Sequence, residues 1–204
     1  MNRIGFEIAK RRADETRLAR LGLPETGLLA RLENRRVALI GNARSLSEKA
    51  LGEEIDAADL VIRLNAAPLP SAASHGSRTD WLAMSIPVPA PVIAARAPDL
   101  LLWMTPKRKR LPWRVARLPG FALLPAARAA ALRERLGARP TTGMLAIDLL
   151  ARSELASARL YGFDFFASKS LSGGRGAADV PHDFDAERDR VAALMAADPR
   201  FSIA

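Results

Sequence analysis

Short apolar runs alternate with helix-like segments along the chain, and two of the runs end at glycine or asparagine. Residues 37–40 (Val-Ala-Leu-Ile) lead into Gly41 and Asn42, and residues 60–64 (Leu-Val-Ile-Arg-Leu) lead into Asn65. An apolar run that stops at a turn residue is typical of a buried strand. Because such strands alternate with helices, the sequence predicts an α/β sandwich in which a mainly parallel sheet lies between helices.

The same criteria place the remaining elements. Strands are predicted at residues 37–40, 60–64, 80–84, 100–104, 121–124 and 159–163. Helices are predicted at 5–35 with an interruption at Pro24, and at 47–58, 126–136, 141–153 and 183–197. Loops are predicted at 71–78, which include His75, and at the glycine-rich residues 170–176. No repeat or boundary divides the 204 residues. We therefore expect one domain over 1–204, with an N-terminal helical segment at 1–35 and a core at 37–187.

The chain contains no cysteine, which excludes a disulfide bond and a thiolate metal site. A cysteine-free chain suits a reducing compartment. Its N-terminal residues mix charged and apolar side chains, unlike a signal peptide. The longest apolar region, residues 86–102, is interrupted by prolines and by Arg96 and Asp99, so it cannot form a spanning helix. We expect a soluble, cytoplasmic protein.

Lysine and arginine outnumber aspartate and glutamate by 31 to 22, for a formal net charge of +9. Such an excess suits an anionic partner. Part of it is concentrated in residues 107–114 (Lys-Arg-Lys-Arg-Leu-Pro-Trp-Arg), which we call the basic cluster. The cluster is either a solvated loop or a contact with anionic lipid or a lipid-linked glycan, peripheral at the inner face of the membrane. No nucleic acid partner is predicted, because no binding motif accompanies the charge and only 5% of residues are aromatic.

Polar residues follow the first two strands of the predicted sheet. Gly41 and Asn42 come after the first strand, and Asn65 ends the second. In an open α/β sheet, ligands bind outside the carboxyl ends of the strands. The two asparagine amides can donate N–H groups to a phosphate without adding charge. The alternative is that these residues only form turns, since they match neither a Rossmann fingerprint nor a phosphate-binding lysine loop.

A second candidate site lies where a predicted helix begins, at Thr141, Thr142 and Gly143. A threonine cap followed by free first-turn amides attracts an anion at the positive end of the helix dipole. An ordinary capped helix is the alternative. Gly143 favours a ligand, because glycine inside a helix costs about 1 kcal/mol relative to alanine and a close approach of backbone to ligand justifies that cost.

His182 is the third candidate, because histidine accepts a proton near neutral pH. At the start of the last predicted helix, the helix dipole disfavours imidazolium and keeps the ring neutral, as a general base requires. A structural surface or core histidine is the alternative. With two histidines and no cysteine, the chain offers no familiar set of metal ligands, so no metal site is predicted.

In their order along the chain, these three groups resemble the sialylmotifs of the animal-type sialyltransferases, glycosyltransferase family 29. The large motif is matched by residues 37–42 (VALIGN), 52–56 (GEEID), 59–68 (DLVIRLNAAP) and 76–80 (GSRTD). The small motif is matched by residues 140–146 (PTTGMLA) and 161–163 (YGF). The very short motif, His-x-x-x-x-Glu, is matched by His182 and Glu187.

The resemblance implies a Rossmann-like variant fold of the GT-A type and a metal-independent, inverting transfer of sialic acid from CMP-sialic acid to a glycan hydroxyl. It implies that His182, with Glu187, is catalytic, and that His182 acts as the general base. Gly41, Asn42, Asn65, Thr141, Thr142 and Gly143 would bind the donor. No cofactor is implied beyond the CMP-sugar. Five helical residues turn through about 140°, so direct orientation of His182 by Glu187 is not expected.

The chain departs from this family at several positions. Val37 and Leu155 stand where the family carries a disulfide, and two buried aliphatic side chains can replace its stabilisation. We expect no membrane anchor of the kind that the family carries, Ala43 replaces a serine, and residues 164–181 lack the usual His-Tyr pair. Two functions therefore stay open: transfer of sialic acid or a related keto-sugar acid, and non-catalytic binding of a nucleotide or anion by a protein with a basic membrane- or protein-binding surface.

Overall fold

One parallel sheet of seven strands forms the centre of the computed structural model, which describes residues 1–165 and 182–204. The strands are β1 (Arg36–Ile40), β2 (Leu60–Leu64), β3 (Trp81–Met84), β4 (Leu100–Trp103), β5 (Phe121–Leu123), β6 (Ser157–Tyr161) and β7 (Phe201–Ile203). Their order across the sheet is β5-β4-β3-β2-β1-β6-β7, and all neighbouring strands pair in parallel. The predicted α/β sandwich with a mainly parallel sheet is confirmed.

Helices connect the strands. They are α1 (Arg3–Arg12), α2 (Glu15–Ala19), α3 (Glu25–Leu32), α4 (Gly52–Asp56), α5 (Ala72–His75), α6 (Ala90–Arg96), α7 (Trp113–Ala116), α8 (Ala126–Leu136), α9 (Thr142–Ala151) and α10 (Phe184–Ala197). Short 3-10 helices occupy Arg44–Glu48 and Arg108–Arg110. The predicted helix at 126–136 is confirmed with the same bounds, and the glycine-rich residues 170–176 lie outside the described part of the chain.

Several predicted element bounds are wrong for identifiable reasons. The N-terminal helical segment breaks at Ala13 (φ 51°) as well as at Pro24, because Ala13 ends α1 in the left-handed conformation. The helix predicted at 47–58 is a 3-10 helix followed by α4. The strand predicted at 159–163 is β6 two residues earlier, before Gly162 turns the chain at φ 66°. Helix α6 escapes prediction because its prolines lie at the helix start, where no backbone N–H is needed.

Both faces of the sheet are covered, because consecutive residues of a strand point to opposite sides. Trp81 and Ala83 of β3 join the larger core cluster, with residues of α3, α8, α9 and α10. Leu82 and Met84 of the same strand join a second cluster, with Phe6 of α1 and residues of α2 and α7. Val37 and Leu155 are both buried in the larger cluster. Helices α1 and α2 of the N-terminal helical segment therefore cover one face of the sheet near β3, β4 and β5, and α3 packs on the opposite face.

The basic cluster is not one solvated loop. The Arg108 guanidinium is buried, forms an ion pair with Glu15 at 2.7 Å, and donates to the carbonyl oxygens of Thr105 and Leu124. Leu111 is fully buried beside it. The solvated-loop alternative is therefore wrong for Arg108 and Leu111, which join α2 to the sheet. Within the described ranges, no helix is both long and apolar enough to cross a membrane.

Candidate donor and catalytic site

A cavity of about 400 Å³ opens at the carboxyl edge of the sheet, where the chain order reverses between β1 and β6. Open parallel sheets bind ligands at such a switch point, and pockets of this size hold small ligands. The eight residues singled out from the sequence all line it: Gly41, Asn42, Asn65, Thr141, Thr142, Gly143, His182 and Glu187. Residues from distant motifs are thus brought to one site.

Gly41 lies at the end of β1, where two backbones touch. Its amide donates to the Tyr161 carbonyl at 2.7 Å, and a Cβ at this position would lie 2.3 Å from the Gly162 carbonyl oxygen. No side chain fits in that space, so glycine is required here by the contact between the β1 and β6 ends. Asn42 follows directly and lines the cavity. The close packing of Gly41 against Gly162 therefore fixes the backbone that carries the Asn42 side chain at the cavity.

Asn65 connects β2 to the start of α9. It adopts the left-handed conformation (φ 50°), which asparagine tolerates better than most residues. Its side-chain nitrogen donates to the Thr142 hydroxyl at 3.3 Å, and its side-chain oxygen accepts from the Ser85 amide at 2.9 Å. Arg96 of α6 donates to the Asn65 carbonyl at 2.8 Å. Asn65 is thus a structural bridge as well as a lining residue, and sequence reasoning missed Arg96 as its support.

Helix α9 presents its N-terminus to the cavity. Thr141 is the N-cap, and its hydroxyl accepts from the Met144 amide at 3.0 Å. Thr142 and Gly143 both line the cavity, and first-turn amides have no acceptor within a helix. A Cβ on Gly143 would lie 2.8 Å from a ring carbon of Phe163. The sequence predicts that a ligand approaches Gly143 closely. In the structure the Phe163 ring makes this close approach, and its packing explains why glycine stands here.

Glu187 is buried beneath the N-terminus of α9. Its carboxylate accepts from the Thr141 amide at 2.6 Å and from the Thr141 hydroxyl at 2.7 Å. Burial raises the pKa of Glu187 to about 7, and these two hydrogen bonds offset only part of that shift. Glu187 therefore contacts Thr141, consistent with the expectation that helix geometry keeps it from orienting His182 directly.

His182 lies just before Asp183, the N-cap of α10, and lines the cavity. Its Nδ1 lies 2.7 Å from the Arg139 carbonyl oxygen. A carbonyl only accepts, so Nδ1 carries the proton and a neutral ring keeps the Nε2 lone pair available. Burial lowers the pKa of His182, and the nearby positive charges of Arg139 and Lys107 lower it further. Burial is thus a clear cause of the neutral ring that the sequence attributes to the helix dipole.

The prediction that His75 lies in a loop is wrong. His75 is the last residue of α5 and is fully buried, with Nδ1 2.7 Å from the Ser74 hydroxyl. Its carbonyl accepts from the buried Arg63 guanidinium at 2.7 Å. Burial lowers the pKa of His75, and the Arg63 charge lowers it further. His75 is a core residue away from the cavity, so it is a poor control for His182.

Apolar residues that sequence reasoning did not assign to the site complete its walls. Ile86, Phe165 and Phe184 line the cavity with Phe163. The Phe184 ring lies beside His182, with ring centroids 6.0 Å apart. No sequence signal separates these residues from ordinary core positions. Among residues 1–165 and 182–204, no group of three or more His, Cys, Asp or Glu side chains is arranged to hold a metal ion.

A parallel α/β sheet with a polar and aromatic cavity at its switch point is the arrangement by which open α/β proteins bind ligands. Residues 16–106 match the sequence model of glycosyltransferase family 29 (sialyltransferase). This match contains the large motif and ends before the small one. No curated protein matches the sequence at a significant level.

Solved structures extend the similarity along the chain. A crystal structure of a mammalian sialyltransferase matches with a TM-score of 0.70 and 22% identity, over 94% of this chain and 78% of that chain. A mammalian sialyltransferase in complex with Gal-beta-1-3GalNAc-ortho-nitrophenol matches with a TM-score of 0.69 and 21% identity, over the same shares. The chain therefore resembles the animal-type sialyltransferases, in fold over most of its length and in sequence over residues 16–106, as its motifs predict.

Proposed function

We propose that this protein transfers sialic acid or a related keto-sugar acid from a CMP-linked donor to a hydroxyl group of a glycan or lipid-linked acceptor. The observation that supports the proposal best is the shared cavity, in which the donor residues and His182 face one space at the switch point of the sheet. The resemblance to family 29 supplies the donor class.

The donor phosphate binds at the N-terminus of α9 in this proposal. First-turn amides of Thr142 and Gly143 and the positive end of the helix dipole stabilise an anion there. Asn42 and Asn65 line the same cavity and contribute neutral donors. Phe163 and Phe165 provide apolar surface for the nucleoside. Because these groups act without a bridging cation, the proposed reaction needs no metal.

His182 acts as the general base. Its Nδ1–H donates to the Arg139 carbonyl, so Nε2 accepts the proton of the acceptor hydroxyl. The hydroxyl oxygen forms the new bond to the anomeric carbon, the bond from that carbon to the phosphate oxygen breaks, and CMP leaves with the electron pair. Attack opposite the leaving group inverts the anomeric centre. Glu187 acts through Thr141 as a positioning residue, because it holds the start of α9 in place.

Calorimetric titration with CMP, UMP and GMP in the presence of a chelator tests the donor assignment without a known acceptor. We expect CMP to bind more tightly than UMP or GMP, and added Mg²⁺ to leave the affinity unchanged. Equal affinity for the three nucleotides, or binding only with Mg²⁺, would contradict the proposal. Arg190→Gln, an exposed change on α10, is the control for unspecific effects of charge on nucleotide affinity.

A further inference from the structure

We propose that the outward face of α1, together with the adjoining turn at Lys109 and Arg110, docks on an anionic lipid bilayer. We call this surface the α1 face, and its members are Ile4, Ile8, Arg11, Arg12, Lys109 and Arg110. Helix α1 packs against the 3-10 helix Arg108–Arg110, which joins the two parts of the surface.

The two sides of α1 differ in what they contact. Phe6 and Ala9 are fully buried against the sheet. Ile4 and Ile8 lie two positions from Phe6 in either direction, so at ~100° per residue they project about 160° away from it. They are 73% and 41% exposed, and they lie one helical turn apart. The outward side of α1 therefore carries an exposed apolar pair.

Positive charge lies on the same helix and on the turn that packs against it. Arg11 and Arg12 occupy the last turn of α1 and are exposed, as are Lys109 and Arg110. In residues 1–165 and 182–204 these four side chains form no ion pair, while Glu7, the acidic residue of α1, pairs with Lys10. Arg108 and Arg114 of the basic cluster are not part of the surface, because both donate to backbone carbonyls. The last turn of α1 and the turn that packs against α1 thus both carry unpaired positive charge.

A bilayer fits this surface better than a second copy of the chain. Interfacial helices insert apolar side chains at the headgroup boundary while their basic residues meet anionic lipids. Two copies of the α1 face would bring like charges together, and two isoleucines offer far less than the ~800 Å² per partner of a stable protein interface. Charge complementarity and the apolar pair therefore both favour anionic lipid.

The chain just before the turn of the α1 face lies near the side of the cavity that carries His182. Lys107 begins the turn that continues into Lys109 and Arg110, and the positive charge of Arg139 nearby lowers the pKa of Lys107. The backbone of Arg139 accepts the hydrogen bond from His182. The docking itself does not depend on the proposed transfer activity.

Flotation with vesicles of phosphatidylcholine, with and without phosphatidylglycerol, tests the docking with the whole chain. We expect binding only to the phosphatidylglycerol vesicles, and weaker binding as salt rises. Lys109→Gln/Arg110→Gln should weaken binding by about fivefold per charge. Ile4→Ser/Ile8→Ser should weaken it by about tenfold at low salt, since both side chains lose apolar contact.

The matched controls are Arg190→Gln on α10 and Ile203→Ser on β7, an exposed isoleucine at the far edge of the sheet from β5. Both should bind like the wild type, and every variant should keep the wild-type melting temperature and CMP affinity. Equal binding to both vesicle types, or a loss in the controls as large as in the α1 variants, would overturn the proposal. So would concentration-dependent dimerisation without lipid that Ile4→Ser/Ile8→Ser abolishes.

Discussion

Glu187 accepts hydrogen bonds from both the amide and the hydroxyl of Thr141, at 2.6 and 2.7 Å. Thr141 is the N-cap of α9, and its hydroxyl also accepts from the Met144 amide. Burial raises the pKa of this carboxyl to about 7. The protonation of one buried carboxyl on α10 is therefore coupled to the start of the helix that lines the cavity with Thr142 and Gly143.

Glu187→Gln should stabilise the protein above neutral pH. The native pKa of about 7 exceeds the ordinary value of 4.5, so between these values the native state retains a proton that the unfolded chain has released. Wild-type stability should therefore fall as pH rises through this window and level off above it. The glutamine side chain does not titrate, so the variant should gain up to about 3 kcal/mol over the wild type at pH 8 and almost nothing at pH 4.5.

Urea unfolding at intervals from pH 4.5 to 8 measures this difference. Asp185→Asn is the control, because Asp185 is exposed at the start of α10 and touches neither Thr141 nor the cavity. Parallel pH profiles for wild type and Glu187→Gln would contradict a raised pKa of Glu187 in the native state.

His182→Ala should reduce sugar transfer by about 10²–10⁴-fold and leave CMP affinity unchanged, because a general base acts on the acceptor. Wild-type transfer should decline as pH falls through the pKa of His182, which burial places below its ordinary 6.5. Transfer rates against pH and CMP titrations check both expectations. Asp185→Ala is the control, because Asp185 is exposed and does not line the cavity, whereas the other histidine, His75, is buried. Near-normal transfer by His182→Ala rejects the mechanism, and CMP binding without any transfer by the wild type supports the non-catalytic alternative.

Asn42→Ala should weaken CMP binding by roughly twofold to tenfold with little loss of stability, the effect of one neutral hydrogen bond. Asn65→Ala should also lower stability, because Asn65 has a positive φ and bonds Thr142 and Ser85. Asn65→Asp separates the two effects: it keeps an acceptor for Ser85 but loses the donor to Thr142 and adds a charge that repels phosphate. We expect calorimetry to show that Asn65→Asp binds CMP more weakly than Asn65→Ala. The reverse order would mean that Asn65 does not contact the donor phosphate.

Arg108→Gln should destabilise the fold by about 2 kcal/mol or more, because the Glu15 carboxylate and two carbonyls lose their partner. Lys109→Gln, at the exposed next position, should leave stability within about 0.5 kcal/mol of the wild type. Thermal unfolding of both variants measures the contrast. If both variants lost similar, small amounts of stability, the basic cluster would instead be a solvated loop throughout.

The local pattern of apolar and turn residues determined the strands and helices for which that pattern is clear. The apolar runs that became β1 and β2 end where predicted, since a buried strand must be continuous and a glycine or asparagine turns the chain. The weak elements were missed. Strand β7 has only three residues, two of them exposed, and is held by pairing with β6. That pairing is a contact between distant residues, so no local pattern predicts it.

By itself, the sequence determined the fold class and the order of the motifs, and with them the eight residues that meet in the cavity. Only the tertiary structure decided what each residue contacts. In the structure, Glu187 accepts hydrogen bonds from Thr141, and the Phe163 ring packs against Gly143. Arg108 is buried and pairs with Glu15. The physical reason is that the periodicity of strands and helices depends on residues that are close together in the sequence. Burial, hydrogen-bond partners and the pKa of a carboxyl depend instead on groups brought together from far along the chain.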